Sequence, residues 1–213
     1  LIEENTITAI DDSPSTFRLS ADSVHNASNE YVTPGFIDMH VHIGDPRFGV
    51  PAEYQYLLWL AHGVTSVRDA GCLGGRPEWW IEQRELSGQN QIVAPRIFAY
   101  KRIFDVPSTR QAIDTGFDGI KLISVQNLET IRAITSLAHK NGLFVMTHNS
   151  TPFPIDELSE VGVDTMEHWY GLPESLSEGR LPMRYSDVYR AGDEQEYFRY
   201  CGGIWKSAAH FGK

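Results

Sequence analysis

A chain of 213 residues, 41% hydrophobic and 22% charged, can bury one sizeable core and need not be disordered. Its formal net charge of -10 argues against nucleic acid as a partner, since phosphate binding needs a basic face. No apolar run approaches the length of a membrane span, so a membrane is not an expected partner either. Two cysteines, Cys72 and Cys201, make no disulfide framework, and reduced thiols are the default. That default favours the cytoplasm. Leu1 is not an initiator Met, however, so any targeting segment is unread and Asn26-Ala27-Ser28 also fits a glycosylation acceptor.

In chain order, Leu1 to Ile10 and Thr16 to Tyr31 are short alternating runs broken by Asp11-Asp12-Ser13-Pro14, and they predict a small β segment over residues 1–33. From residue 34 strand and helix signals alternate. Val32 to His42 is an apolar strand running into two histidines. Glu53 to His62 has helical spacing and ends at Gly63. Val64 to Asp69 is a strand, Pro77 to Leu86 a helix, Ile92 to Tyr100 a third strand and Ser108 to Thr115 a short helix closed by Gly116. Gly119 to Ile123 is a fourth strand. Asn127 caps a helix carrying Leu128, Ile131, Ile134 and Leu137, stopped by Asn141-Gly142. Leu143 to His148 is a fifth strand, Pro154 to Val161 a helix and Val163 to His168 a sixth strand. Such alternation predicts consecutive βα units of a parallel sheet.

Side chains alternate along a strand, so Asp38, His40 and His42 share a face, preceded there by Phe36. Two imidazoles at a strand end are poor core residues and good ligands for zinc or a similar cation. Lys121 lies in the fourth strand, His148 ends the fifth and His168 the sixth. In a (β/α)8 barrel every strand's carboxyl end opens on one face, where residues far apart in sequence converge. Lys121 also reads as a snorkelling or ion-paired lysine. Asp38 lies deeper than the histidines and is expected to support them rather than ligate. Glu167, adjacent to His168, is expected on the opposite face. His62 and His139 read as bystanders, Cys72 as a structural thiol near the mouth, and Tyr100 and Tyr170 as weak candidates for substrate contact.

These segments resemble the amidohydrolase superfamily of metal-dependent hydrolases. Pro34 to His42 is similar to its first-strand motif, and Gly63-Val64-Thr65-Ser66-Val67-Arg68-Asp69-Ala70-Gly71 to its second-strand segment. Gly119-Ile120-Lys121-Leu122 is similar to the strand bearing a bridging lysine. Val145-Met146-Thr147-His148 and Thr165-Met166-Glu167-His168 resemble the fifth- and sixth-strand ligand segments. The likeness is nearest to the imidazolonepropionase-like and prolidase-like branch. It implies a TIM-type barrel preceded by a small β-sandwich, and hydrolysis of C–N bonds, amide or cyclic amide, in a small-molecule substrate by metal-activated water, with a homo-oligomer open. It also implies one or two ions, Zn2+ or another divalent metal, with His40 and His42 on the more buried ion and His148 and His168 on the more exposed one. Lys121, carboxylated by carbon dioxide, would bridge them.

One departure stands out. The family pattern places a general-base aspartate at the end of the eighth strand, and the stretch after His168 is too short for two further units of roughly 31 residues each. Asp187 and Asp193 sit in polar surroundings, and Glu194 to His210 reads as a helix. The expected architecture is therefore an incomplete (β/α)8 barrel of about six βα units over residues 34–213, lacking the last two strands, with part of a β-sandwich over 1–33. The alternative to a hydrolase is a non-catalytic or complementing fragment that binds metal without the general base. With two unclosed sheet edges, an isolated chain of this length is expected to be poorly stable or oligomeric and slow toward amides.

Overall fold

The computed structural model describes residues 1–3, 6–10, 21–44, 49–72, 76–148, 151, 153–168, 172, 192–193, 195–196, 198–199 and 202. The chain divides into two compact units, Leu1–Pro34 and Gly35–Lys213. In the first, strands β1 (Ile2–Glu3) and β2 (Thr6–Ile7) pair antiparallel. The described part of the expected run from Thr16 to Tyr31 contains no strand; Asn26 Oδ1 instead accepts from the Ser28 backbone N–H at 3.1 Å in a local turn.

The second unit is a curled sheet of six parallel strands in sequential order, a partial TIM-type barrel. Its elements are β3 (Phe36–Val41), α1 (Ala52–Ala61), β4 (Val64–Asp69), α2 (Pro77–Gly88), β5 (Arg96–Ile103), α3 (Val106–Thr115), β6 (Gly119–Leu122), α4 (Leu128–Lys140), β7 (Phe144–Thr147), α5 (Ile155–Glu160) and β8 (Thr165–Met166). Alternation along each strand divides the side chains. Ile120 and Leu122 of β6, with Val67, Ile97 and Val145, point to the helices and pack with Tyr56, Trp80, Ile131, Ile134 and Leu158. Lys121 points the other way, toward the barrel axis, as do Tyr100 and Met146, which form a separate small cluster with Ala70. α4 shows how the outer layer is specified: Ile131, Ile134, Thr135 and Ala138 recur at helical spacing and are all buried. Asn127 Oδ1 accepts from the Thr130 N–H at 2.9 Å and starts that helix.

Several boundaries differ from the sequence expectation, among them that of β3, which starts at Phe36 rather than Val32. β5 begins at Arg96 rather than Ile92, because Pro95 has no N–H to give a ladder, and it continues to Ile103, where Tyr100 to Ile103 pair with Gly119 to Leu122. α3 begins at Val106, two residues before Ser108, because Asp105 and Ser108 form a reciprocal capping box. β8 shrinks to two residues, since among the described residues it pairs only with β7 and Asp164 turns back to accept from the Val145 N–H at 2.7 Å. The expected helix from Glu194 to His210 falls mostly outside the described residues, as do Asp187, Tyr170 and Cys201. Asp193 is exposed and accepts from the Glu196 N–H at 3.2 Å. Among the described residues no helix is long and apolar enough to cross a membrane.

Candidate metal centre

β3 positions the first pair of imidazoles. Val41 and Ile43 turn outward and are buried, so His40 and His42 turn inward, and their ring centroids lie 5.3 Å apart. His148 follows β7 directly. His168 follows β8 by one residue, at a φ of +67°, in the left-handed region that a non-glycine residue enters only under constraint. That turn ends the strand alternation and swings the His168 ring to 4.6 Å from His40 and 4.8 Å from His148, centroid to centroid. Lys121 is 1% exposed, and its charge acts on both His148 and His168. His40, His42, Lys121, His148 and His168, spread over 128 residues of sequence, are thus neighbours at the carboxyl ends of four strands.

The electrostatics favour the neutral forms of Lys121, His148 and His168. Burial first, then the charge of Arg102, pulls the Lys121 amine from 10.5 down to about 8. Burial and the Lys121 charge lower His148 to about 3, and burial with His40 lowers His168 to about 4. A neutral imidazole is the form that ligates a cation.

Supporting groups complete the site. The Glu167 carboxylate accepts from His40 Nδ1 and, at 2.6 Å, from Arg68 Nη2. Burial alone would raise the Glu167 carboxyl, but these two partners outweigh it and hold it below its usual range. Because an ionised carboxylate only accepts, His40 Nδ1 carries the proton of that hydrogen bond, and in the neutral ring this leaves the lone pair on Nε2. That Nε2 is buried and has no hydrogen-bond partner among the described residues. Asp69, at the end of β4, accepts from the Ile43 N–H at 3.1 Å and from Trp80 Nε1 at 3.0 Å. Its other oxygen stands 3.8 Å from His42 Nδ1, too far for a hydrogen bond. Burial raises the Asp69 carboxyl despite these donors.

Among the described residues no three His, Cys, Asp or Glu side chains are already gathered as a ligand set; the imidazoles pack against one another, His40 edge-on to His42 and His148 edge-on to His168, with His40 and His168 tilted at 54°. The donor chemistry nevertheless fits a divalent cation. Four imidazoles lie in mutual contact, a buried amine acts on two of them, and the Nε2 of one is orphaned while its Nδ1 is held by a carboxylate.

The remaining candidates fall away from the centre. Asp38 Oδ1 accepts from the His40 backbone N–H at 3.1 Å and stays on its own strand. His62 ends α1, its ring 2.7 Å from the Leu58 carbonyl, and His139 pairs with Asp164 at 2.9 Å. Cys72 packs against the outer core, and burial raises its thiol well above the ordinary value. Tyr100 fills the barrel interior beneath the Arg68 guanidinium, 5.4 Å from the ring centroid, rather than lining the mouth. The expectation that Glu167 faces away from the site is corrected: β8 ends at Met166, so strand alternation no longer governs Glu167. Sequence reading did not single out Arg68, Asp69 or Trp80. The available signal is the adjacent pair Arg68 and Asp69 in a strand of a parallel sheet, whose two faces are both covered, so that charged residues there need buried partners.

The fold and this site define an amidohydrolase-like fold. No family model matches the sequence. The chain is similar to a structure of a Xaa-Pro dipeptidase with methionine bound in its active site, with a TM-score of 0.53 and 21% identity over 63% of this chain and 48% of that one. It is likewise similar to the bottromycin amidohydrolase, with a TM-score of 0.53 and 22% identity over 70% of this chain and 35% of the other. A stretch of 67 residues is 37% identical to an adenine deaminase of Lysinibacillus sphaericus (strain C3-41), covering 32% of this chain and 11% of that protein. The chain spans less than half the length of each of these relatives.

Proposed function

We propose that the protein is a metal-dependent hydrolase acting on C–N bonds, of amide or cyclic amide type, in a small-molecule substrate. The observation that carries this reading is the meeting of His40, His42, Lys121, His148 and His168 at the strand ends, with the buried His40 Nε2 left without a partner. The names of the similar proteins support it, since dipeptidase, amidohydrolase and deaminase all denote chemistry at carbon–nitrogen bonds. In this reading His40 and His42 hold one divalent ion, zinc being the natural choice for imidazole ligands, and His148 and His168 hold a second. Bound metal of this kind supplies Lewis acidity toward a carbonyl oxygen and lowers the pKa of water.

The chain's own groups do the rest. Glu167 keeps the His40 proton on Nδ1, so the opposite nitrogen stays a donor of its lone pair. Burial and Arg102 give Lys121 an appreciable neutral fraction near pH 8, and only the neutral amine attacks carbon dioxide. That attack forms an N–C bond and releases one proton, leaving a carbamate whose two oxygens suit a bridge between cations. Purified protein should hydrolyse members of a panel of dipeptides and N-acyl amides, lose that activity on chelation and recover it with zinc. Undiminished hydrolysis after complete metal removal would overturn the proposal.

A further inference from the structure

We propose that Arg68 and Glu167 are positioning residues that fix the tautomer and ring orientation of His40 and tie its strand to the chain that carries His168. The inference rests on the reading of His40 as a ligand. Arg68, on β4, donates through Nε to the Met39 carbonyl at 2.7 Å, immediately before His40, and through Nη2 to Glu167 at 2.6 Å, immediately before His168. Its third nitrogen, Nη1, lies 3.4 Å from Thr165 Oγ1 of β8. One guanidinium therefore reaches the backbone of the first strand of this sheet and both residues that frame the last. The other Glu167 oxygen, Oε2, accepts from His40 Nδ1.

A role in stability alone accounts poorly for this arrangement. Both side chains are buried, and a buried ion pair is often matched or bettered by apolar residues of the same volume. Only the pair, however, supplies an ionised acceptor to His40 while holding that acceptor still. The two roles make different predictions when both charges are removed together.

The test compares the parent with Glu167→Asp and with the double variant Arg68→Met, Glu167→Gln. Nitrogen-15 NMR of metal-free parent should show His40 protonated on Nδ1 with a lone pair on Nε2. Glu167→Asp keeps a charge for Arg68 but withdraws the carboxylate from the ring. It should bind zinc about 10–100-fold more weakly. In the double variant thermal stability should recover toward that of the parent, while zinc affinity stays at least 10-fold lower and the His40 signature becomes mixed. Parent-like zinc affinity in either folded variant, or a metal-free parent with its His40 proton on Nε2, would overturn the proposal. If the parent bound no zinc at all, the functional reading would fail, and the NMR signature would still decide whether Glu167 sets the tautomer.

Discussion

Gly71 passes so close to Lys121 that a methyl group on its Cα would lie 3.1 Å from the lysine Cδ and 2.8 Å from Arg102 Cγ. The backbone there has a φ of +100°, open to glycine and strained for any residue with a Cβ. The residue that ends the second-strand segment is thus required by its neighbour across the barrel, not by a turn alone. Gly71→Ala should destabilise the protein by about 1–3 kcal/mol and displace Lys121. Urea denaturation and zinc titration of the variant check both effects; a parent-like midpoint would show that the backbone can move aside.

The lowered Lys121 amine makes stability depend on pH with a definite sign. In metal-free protein its proton leaves near pH 8, whereas the unfolded chain holds the proton to about 10.5. Between those values the unfolded state binds more protons, so stability should rise with pH. Lys121→Met should flatten that rise. Denaturation midpoints from pH 7.5 to 10 measure it, and identical slopes in the two proteins would mean that Lys121 is not the titrating group.

Trp80 joins α2 to the site through Asp69. Its Nε1 is one of two hydrogen-bond donors to Asp69 Oδ2, the other being the Ile43 N–H. Trp80→Phe preserves much of the packing and removes the donor. It should cost about 0.5–1.5 kcal/mol, the range for a typical hydrogen bond, measured by equilibrium unfolding in urea. A loss under 0.5 kcal/mol would indicate that water replaces the indole.

Much of this was legible in the sequence, for identifiable reasons. The strand-end histidines announce themselves because imidazole is rare at the end of an apolar run, and βα alternation puts strand ends on one face. The helices were readable where a cap and a periodic face agree, as with Asn127 and Ile131 to Ala138. What stayed hidden depends on long-range pairing. Glu167 follows the strand alternation on paper and escapes it in space, because the chain leaves β8 after Met166 and His168 turns into positive φ. Arg68 and Glu167 meet across 99 residues, a partnership that no local pattern records.

The most direct test of the account is the metal content of the protein purified without chelator, beside His40→Ala with His42→Ala. Elemental analysis of the parent should give one to two equivalents of a divalent metal, zinc foremost, and the double variant should lose at least half of it while keeping its secondary structure by circular dichroism. An unchanged metal content in a folded double variant, or a parent that neither carries nor takes up divalent metal, would contradict the assignment of these strand ends as a metal centre.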